Sequence, residues 1–267
     1  MRWHVIGIDN STSTEKPAQM RVEFRCNLCG AQCNVPASAI SRESPSCVDC
    51  GSTVRLRSII HLLTTELFGR SVPLPELPLR KDIVGIGLSD AVCYAAALAQ
   101  NLSYTNTFFD IEPRLDIANV DENLSGIYDF IIASDVFEHI APPVSRAFNN
   151  ARRLLKPRGF MVFTVPYTLE TDTIEHFPQL NDYRIVKTDA GFQLENRTLD
   201  GEIQVFADPI FHDGSGMTLE MRLFSRIALE REFAAAGFSR LRFADEASPA
   251  YGIGSQKPWE IPMVAHA

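Results

Sequence analysis

Two nearly continuous apolar runs, at 129–134 and 160–165, dominate the hydrophobic pattern of the chain. A strand that is apolar at successive positions is buried on both faces, as in a parallel sheet. The stretch between the runs predicts a helix that extends to Lys156, because Pro157 and Gly159 follow. The pattern therefore predicts a strand, a helix and a second strand in succession.

Strands and helices are predicted to alternate on either side of this unit. Upstream, strands are predicted at 82–86 and 104–109, with a helix at 91–99 between them and a short strand or bend near 115–117. Downstream, a helix at 219–236 ends at Gly237, and two last strands are predicted at 239–244 and 262–267. This alternation predicts an α/β fold, with a mostly parallel sheet and helices on both faces.

Three regions are predicted along the chain. Residues 1–57 hold a short strand at 3–8 and a cysteine-rich module. Residues 58–79 hold a helix at 58–68, which Gly69 ends, and a proline-rich linker at 71–79. Residues 80–267 form the main domain, in which a turn-rich insertion at 168–216 is expected to lie over the carboxyl edge of the sheet.

The cysteine-rich module contains two C-x-x-C-G units, Cys26 with Cys29 and Cys47 with Cys50. Two residues between cysteines let both sulfurs reach one tetrahedral ion, and a glycine directly afterwards permits a left-handed backbone. The spacing predicts a zinc ribbon with these four ligands, a closed site that stabilises structure. Two disulfides or a redox pair are the alternatives.

Two further cysteines are predicted to have other roles. Cys33 is either a substitute ligand or a small half-buried residue, and the latter interpretation is favoured. Cys93 lies in the apolar helix and is predicted to pack in the core.

Composition and charge narrow the function classes. Of 267 residues, 45% are hydrophobic and 22% are charged, which suits a folded soluble protein with a large core. No membrane-spanning run or secretory signal is visible, so the cytoplasm is the expected location. The net charge of −8 weighs against nucleic acid as a substrate. Oligomeric state is left open.

A glycine-containing turn, Gly85-Ile-Gly87-Leu-Ser89-Asp90, follows the first strand of the main domain and opens a helix. Such a turn offers free N–H groups and lets a ligand approach the backbone. Farther along, residues 134–140 read SDVFEHI and residues 154–159 read LLKPRG. Together these segments resemble the class I S-adenosylmethionine (SAM)-dependent methyltransferases. The resemblance implies a Rossmann-like fold with a seven-stranded sheet whose last strand is antiparallel.

The resemblance also implies SAM as cofactor. The family loop is acidic-x-Gly-x-Gly-x-Gly; Gly85 and Gly87 match its first two glycines, and Ser89 replaces the third. Ile83 stands where the acidic residue would be, so Asp90 is the candidate to contact the amino-acid end of SAM. An NAD-dependent oxidoreductase would require G-x-G-x-x-G, which this loop also lacks.

Carboxylates after later strands complete the implied cofactor site. Asp110 follows the second strand, and a carboxylate there accepts hydrogen bonds from both ribose hydroxyls. Asp116, with Ile117 beside it, matches the acid that faces the adenine. Ser134 and Asp135 are expected to lie beside the methionine part of SAM.

Three histidines are candidates for the acceptor side of the reaction. Methyl transfer to a hydroxyl requires positioning of the acceptor and removal of its proton, a task that suits histidine near neutral pH. His176, beside Glu175, and His212, beside Asp213, are the favoured candidates because both lie in the insertion. His139 is interpreted as structural. Secondary candidates are Tyr167, Glu220 and Arg222.

The acceptor class rests on a more general resemblance. The segments around His176 and His212 and the aromatic C-terminal stretch resemble bacterial methyltransferases with an N-terminal cysteine module, which accompany glycosyltransferases in surface-polysaccharide pathways. This implies a sugar or glycan hydroxyl as acceptor. One alternative is a ribosomal RNA methyltransferase with a zinc module, and another is a non-catalytic adapter whose altered glycine loop no longer holds cofactor.

Overall fold

The computed structural model describes residues 20–189, 191–212, 218–254 and 257–267. The strand predicted at 3–8 and the residue Asp213 lie outside the described residues. The strands are β1 (Arg21–Arg25), β2 (Gln32–Pro36), β3 (Arg80–Leu88), β4 (Leu102–Thr107), β5 (Tyr128–Ser134), β6 (Leu155–Thr164), β7 (Tyr167–Thr168), β8 (Ile174–Glu175), β9 (Asp182–Thr188), β10 (Gly191–Arg197), β11 (Ile203–Ala207), β12 (Phe211–His212), β13 (Thr218–Leu219), β14 (Arg222–Ser225), β15 (Arg240–Phe243) and β16 (Met263–His266). The α-helices are α1 (Val54–Phe68), α2 (Val92–Asn101), α3 (Ser145–Leu154) and α4 (Arg226–Ala235), and short 3-10 helices include Leu74–Glu76, Phe137–His139 and Pro249–Tyr251.

The central sheet has the strand order β15-β16-β6-β5-β3-β4. Strands β4, β3, β5 and β6 are parallel, and β16 is antiparallel to both of its neighbours. The parallel core and the antiparallel last strand confirm these two features of the predicted sheet, whereas the predicted number of strands was seven and six are present among the described residues. The short strand or bend expected near 115–117 is not a strand of the described sheet, and next to it Phe108 and Arg114 form an isolated bridge.

Two apolar layers cover the faces of the sheet. One contains Ile59 of α1 and Tyr94 of α2, packed with Phe130 and Ile132 of β5. The other contains Phe148 of α3 and Phe233 of α4, packed with the intervening β5 residues. Because β5 is buried on both faces, its continuous apolar sequence correctly predicted a central parallel strand.

The cysteine-rich module joins the first of these layers. Its β1–β2 hairpin and the two cysteine turns bury Phe24, Cys26 and Cys47 in the same apolar cluster as α1 and α2. The Arg57 side chain of α1 is fully buried and donates to the carbonyls of Ser52, Tyr251 and Gly252. The module is therefore packed onto the main domain rather than tethered to it.

Several predicted boundaries differ from the structure. The helix predicted at 219–236 begins only at Arg226, because 222–225 pair with β7 and β8 and Ser225 caps the helix. Helix α1 begins at Val54, where Thr53 is the N-cap, and not at Ser58. The helix before β6 begins at Ser145 and ends at Leu154. The linker at 71–79 is not simply extended, since it contains the 3-10 helix Leu74–Glu76.

The insertion at 168–216 contains more regular structure than its turn-rich sequence predicted. Strands β9, β10 and β11 form an antiparallel sheet with the order β11-β10-β9. Strands β7, β14 and β8 form a second small sheet beside the carboxyl ends of the central strands. No α-helix among the described residues combines the length and apolarity that a bilayer crossing requires.

Candidate functional site

The carboxyl edge of the central sheet carries two residues with unusual backbone geometry. Ser89 follows β3 with a φ of 57°, and Asp135 follows β5 with a φ of 53°. Strands β3 and β5 are hydrogen-bonded neighbours, so the two residues leave the sheet side by side. Left-handed conformations are uncommon outside glycine and cluster at functional sites. This edge is also where open α/β sheets bind ligands.

The two loop glycines are fixed by protein packing. A Cβ atom at Gly85 would lie 2.0 Å from the Phe130 ring. A Cβ atom at Gly87 would lie 2.0 Å from the Tyr104 hydroxyl and 2.1 Å from a carboxylate oxygen of Asp90. Glycine is required at both positions because neighbouring side chains occupy the space, independently of any ligand.

The Asp90 carboxylate faces the interior. It accepts hydrogen bonds from the hydroxyls of Tyr94 at 2.8 Å and Tyr104 at 2.5 Å. Burial raises the pKa of Asp90 to about 7, although the two tyrosine hydroxyls oppose the shift. The loop aspartate thus anchors α2 to β4 through its side chain.

Asp135 is held by two arginines that the sequence-based predictions did not include. Arg42 donates to both carboxylate oxygens, at 2.7 and 3.0 Å, and Arg55 lies 3.2 Å from one of them. Arg55 also donates to the Ser134 hydroxyl at 2.5 Å. Burial opposes ionisation of Asp135, but Arg42 and Arg55 outweigh it and lower the pKa of this carboxyl.

The remaining predicted cofactor residues follow β4. Asp110 is exposed just beyond the strand, while Ile117 is buried. The two carboxylate oxygens of Asp116 accept hydrogen bonds from the Ala118 amide and the Asn119 side chain. The Asp110 carboxylate has no hydrogen-bond partner among the described residues, whereas Asp116 also closes a local turn.

The insertion brings two candidate histidines onto one carboxylate. His176 Nε2 lies 2.7 Å from Oε1 of Glu220, and His212 Nε2 lies 2.7 Å from Oε2 of the same residue. The Glu220 side chain is 11% exposed, so the carboxylate is shielded from bulk water. Glu220, and not the sequence neighbour Glu175, holds His176. Glu175 instead accepts a hydrogen bond from the fully buried Arg222 at 2.8 Å.

His139 and Glu138 lie next to this pair. The ring of His139 is perpendicular to that of His212, with centroids 4.8 Å apart. Burial lowers the pKa of His139. Burial, with the negative charge of Asp135 as a second cause, raises the pKa of Glu138 well above its usual range. The hydroxyl of the secondary candidate Tyr167 donates to the carbonyl of Pro258.

The four predicted metal-binding cysteines converge in the N-terminal module. Cys26 Sγ lies 3.7 Å from Cys50 Sγ, and Cys29 Sγ lies 3.5 Å from Cys47 Sγ. Four sulfurs bound at 2.3 Å to a tetrahedral zinc ion would be about 3.8 Å apart, so the spacing fits zinc. Gly30 and Gly51 have φ values of 86° and 68°, as predicted for the turns after each cysteine pair. Cys33 is buried in β2 and lies outside this group.

The residues at the carboxyl edge fit the polar groups of SAM. The exposed Asp110 carboxylate suits ribose hydroxyls, because it is an acceptor only. The Arg42 and Arg55 guanidiniums suit the α-carboxylate of the methionine part, with which arginine forms charge-assisted hydrogen bonds. Asp135 suits its ammonium group. No sequence motif marks these arginines: Arg42 precedes α1, and Arg55 is the second residue of that helix.

Comparison with known proteins gives one family match. Residues 74–241, more than half of the chain, match the family model described as a methyltransferase domain. No curated protein matches the chain significantly. The chain is similar to 1,6-didemethyltoxoflavin N1-methyltransferase from Burkholderia thailandensis, solved with S-adenosylhomocysteine, at 13% identity and a TM-score of 0.41, over 79% of this chain and 77% of that chain.

A second similar structure is the sugar N-methyltransferase KedS8 from Streptoalloteichus, at 11% identity and a TM-score of 0.44, over 78% of this chain and 85% of that chain. The family match begins before β3 and ends inside β15, so it includes the four parallel strands and Asp135 but not Arg42 and Arg55. The chain therefore belongs to the methyltransferase-domain family.

Proposed function

We propose that the protein transfers a methyl group from SAM to a hydroxyl of a small acceptor, a sugar or a glycan, with His176 or His212 as the general base. The observation that carries this proposal is the Glu220 carboxylate, which holds both imidazoles at 2.7 Å beside the carboxyl edge. Histidine is suited to accept a hydroxyl proton near neutral pH. The acceptor class follows from the sequence resemblance, and the imidazoles of His176 and His212 are the basic groups that would accept the hydroxyl proton.

Cofactor binding is assigned to the carboxyl ends of β3, β4 and β5. Bound SAM supplies an electrophilic methyl group on a sulfonium. Asp110 binds the ribose hydroxyls, and Asp116 with Ile117 borders the adenine. The methionine part lies against Ser134 and Asp135 beside the Gly85–Ser89 loop, where Arg42 and Arg55 add positive charge next to Asp135.

The Glu220 contacts determine which nitrogen of each histidine can act. When neutral, an imidazole that donates from Nε2 to Glu220 presents Nδ1 as its free acceptor. An adjacent carboxylate also stabilises the imidazolium that forms once the acceptor proton has moved. Glu175 takes part indirectly, because its bond to Arg222 fixes β8, the strand directly before His176.

The cysteine cluster is assigned to a structural zinc ion. All four sulfur atoms lie within 4.8 Å of one another, which leaves a closed thiolate site with no position for substrate. Zinc thiolates persist in a reducing compartment, and the cytoplasm is accordingly the proposed location.

Transfer of a labelled methyl group from SAM to a panel of sugar nucleotides and small glycans tests the proposed reaction. We expect transfer to at least one hydroxylated acceptor, and we expect His176→Ala or His212→Ala to lower kcat by about 100-fold, the usual contribution of a general base. His266→Ala is the matched control, because His266 pairs with Phe160, away from the carboxyl end of β6 at Thr164. Unchanged transfer in both His176 and His212 variants would contradict the assignment of the base.

A further inference from the structure

We propose that Glu138, His139 and His212 form a binding site for a divalent transition-metal ion at the carboxyl edge of the sheet. One ligand atom from each of the three residues lies within 4.8 Å of the other two. The site is separate from the cysteine cluster and comes from two distant segments of the chain. Its role in catalysis rests on the proposed function with His176 as the general base, because His212 would hold the ion; ion binding itself does not rest on it.

Glu138 is the strongest indication of an ion. The residue is fully buried, and neither carboxylate oxygen has a hydrogen-bond partner among the described residues. A buried carboxyl group without a partner is costly, and buried charges are normally paired or bound to metal. Its main chain is fixed, since its carbonyl accepts from the Met221 amide at 2.8 Å. A cation between Glu138 and the histidines would satisfy the carboxylate.

His139 has the orientation of a metal ligand. Its Nδ1 lies 3.0 Å from the carbonyl oxygen of Leu219, which fixes the tautomer with the proton on Nδ1. The lone pair is then on Nε2, which lies 3.8 Å from Oε1 of Glu138. Metal-binding histidines usually donate their other ring N–H to a carbonyl or carboxylate in this way.

His212 supplies the third side of the site and its access to solvent. Its ring stands at 87° to that of His139. Its side chain is 35% exposed, whereas Glu138 is 1% exposed at the side chain, so the site opens on the His212 side. Glu220 holds the His212 ring from outside the triad. The donor atoms around one ion are about 3 Å apart. Small rotations of the three side chains would bring their donor atoms from within 4.8 Å of one another to that spacing.

The donor set identifies the class of ion. Two imidazoles and one carboxylate suit Mn²⁺, Fe²⁺, Co²⁺ or Zn²⁺, whereas Mg²⁺ and Ca²⁺ prefer sites made of oxygen alone. Three protein ligands leave coordination positions open for oxygen atoms of an acceptor. A bound ion lowers the pKa of a coordinated hydroxyl. Because more than one coordination position is open, an acceptor with two neighbouring oxygen atoms fits the site best.

Mn²⁺ titration of the full-length chain, prepared with one zinc ion per chain so that the cysteine cluster is filled and the triad is left open, tests the site; electron paramagnetic resonance measures the free Mn²⁺. Mn²⁺ is suitable because it favours oxygen and nitrogen donors over the thiolates of the cysteine cluster. We expect one Mn²⁺ per chain in the wild type. Glu138→Gln and His212→Ala should each weaken binding about tenfold or more, and His266→Ala should not change it.

Two results would overturn the assignment: no Mn²⁺ binding by the wild type, or wild-type affinity in either triad variant. His212→Ala keeps the test meaningful if Glu138→Gln fails to fold, because the His212 side chain is partly exposed. Because binding is measured without SAM or acceptor, its failure is distinguishable from a failure of the proposed methyl transfer. Metal binding without methyl transfer would refute only the proposed function.

Discussion

At the residue scale, Asp90 makes stability depend on pH. Its folded-state pKa of about 7 lies above the ordinary value of 3.8, so the folded chain retains a proton that the unfolded chain releases between these values. Protonated Asp90 contributes its full stabilisation below the pKa of 3.8 that this group has in the unfolded chain. The stabilisation is lost as the pH rises from there to the folded-state pKa of about 7. Replacement by a neutral amide removes this dependence.

We therefore expect the unfolding free energy of the wild type, relative to Asp90→Asn, to fall by about 2–3 kcal/mol between pH 5 and pH 8. Denaturant titrations of both proteins at the two pH values measure this difference. Asp245→Asn, at an exposed position, controls for the general effect of removing a carboxylate. A difference that stays constant with pH would show that Asp90 is ionised in the folded state.

At Gly85, the space left by neighbouring side chains admits only a glycine. We expect Gly85→Ala to destabilise the fold by about 1–3 kcal/mol, because the added methyl group meets the Phe130 ring and overpacks the core. Gly254→Ala is the matched control, since its Cβ atom would have no neighbour within 4 Å. Thermal denaturation compares the two, and equal melting temperatures would exclude the packing explanation.

The sequence-based predictions included only some of the residues that the structure brings together. The four cysteines and Asp135 were predicted because local spacing, or the end of a recognisable strand, places them. Arg42 and Asp135 are 93 positions apart, and their pairing depends on how the module docks onto the sheet. The Glu220 contact to His176 likewise depends on strand pairing between β14 and β8, which no local pattern specifies.

At the scale of elements, α1 connects the cysteine module to the C-terminal segment through Arg57. Besides its three carbonyl partners, Arg57 donates to the Ser46 hydroxyl at 3.0 Å and lies 4.5 Å over the Phe24 ring. Burial lowers the pKa of Arg57, while the nearby cysteine sulfurs oppose that shift. A zinc ion bound by four thiolates keeps a net negative charge, which would balance this buried cation.

We expect Arg57→Met to lower the free energy of unfolding by about 3 kcal/mol, because several buried carbonyl groups lose their donor. Chemical denaturation measures the change. Arg70→Met, at an exposed position directly after α1, should stay within about 0.5 kcal/mol of the wild type. Equal stability of the Arg57 and Arg70 variants would mean that the Arg57 hydrogen bonds contribute little to the free energy of unfolding.

Element prediction succeeded where the pattern was local and strong. Strands β5 and β6 were found because buried parallel strands are apolar at successive positions, and Gly69 correctly marked the end of α1. The stretch 219–225 was wrongly included in a helix. Its short strands exist only because β7, β8 and β12 lie beside them, a tertiary effect that overrides local preference.

At the scale of the whole molecule, the N-terminal region that contains the cysteine module reaches the carboxyl edge of the sheet. The segment after its hairpin carries Arg42 to the carboxyl edge, and Arg55 follows at the start of α1. Sequence analysis predicted the module and the sheet separately. Their mutual placement arises from side chains far apart in sequence, which no motif records.

Removal of zinc should therefore affect both stability and cofactor binding. We expect a chelator, or Cys47→Ser, to lower Tm by about 5 °C or more, since metal binding contributes folding energy to such modules. Affinity for S-adenosylhomocysteine should fall in parallel, as Arg42 and Arg55 lose their support. Cys93→Ser, outside the cluster, is the control. Unchanged Tm and affinity after complete zinc removal would contradict a structural role.

The central claim, that the carboxyl edge binds the methyl donor, is tested most directly by isothermal titration of S-adenosylhomocysteine into the full-length protein. The account predicts one binding site per chain. It also predicts that Arg42→Gln weakens affinity by about tenfold, equivalent to about 1.4 kcal/mol, because one charge-assisted contact is lost. Absence of binding by the folded, zinc-loaded wild-type chain would contradict the account.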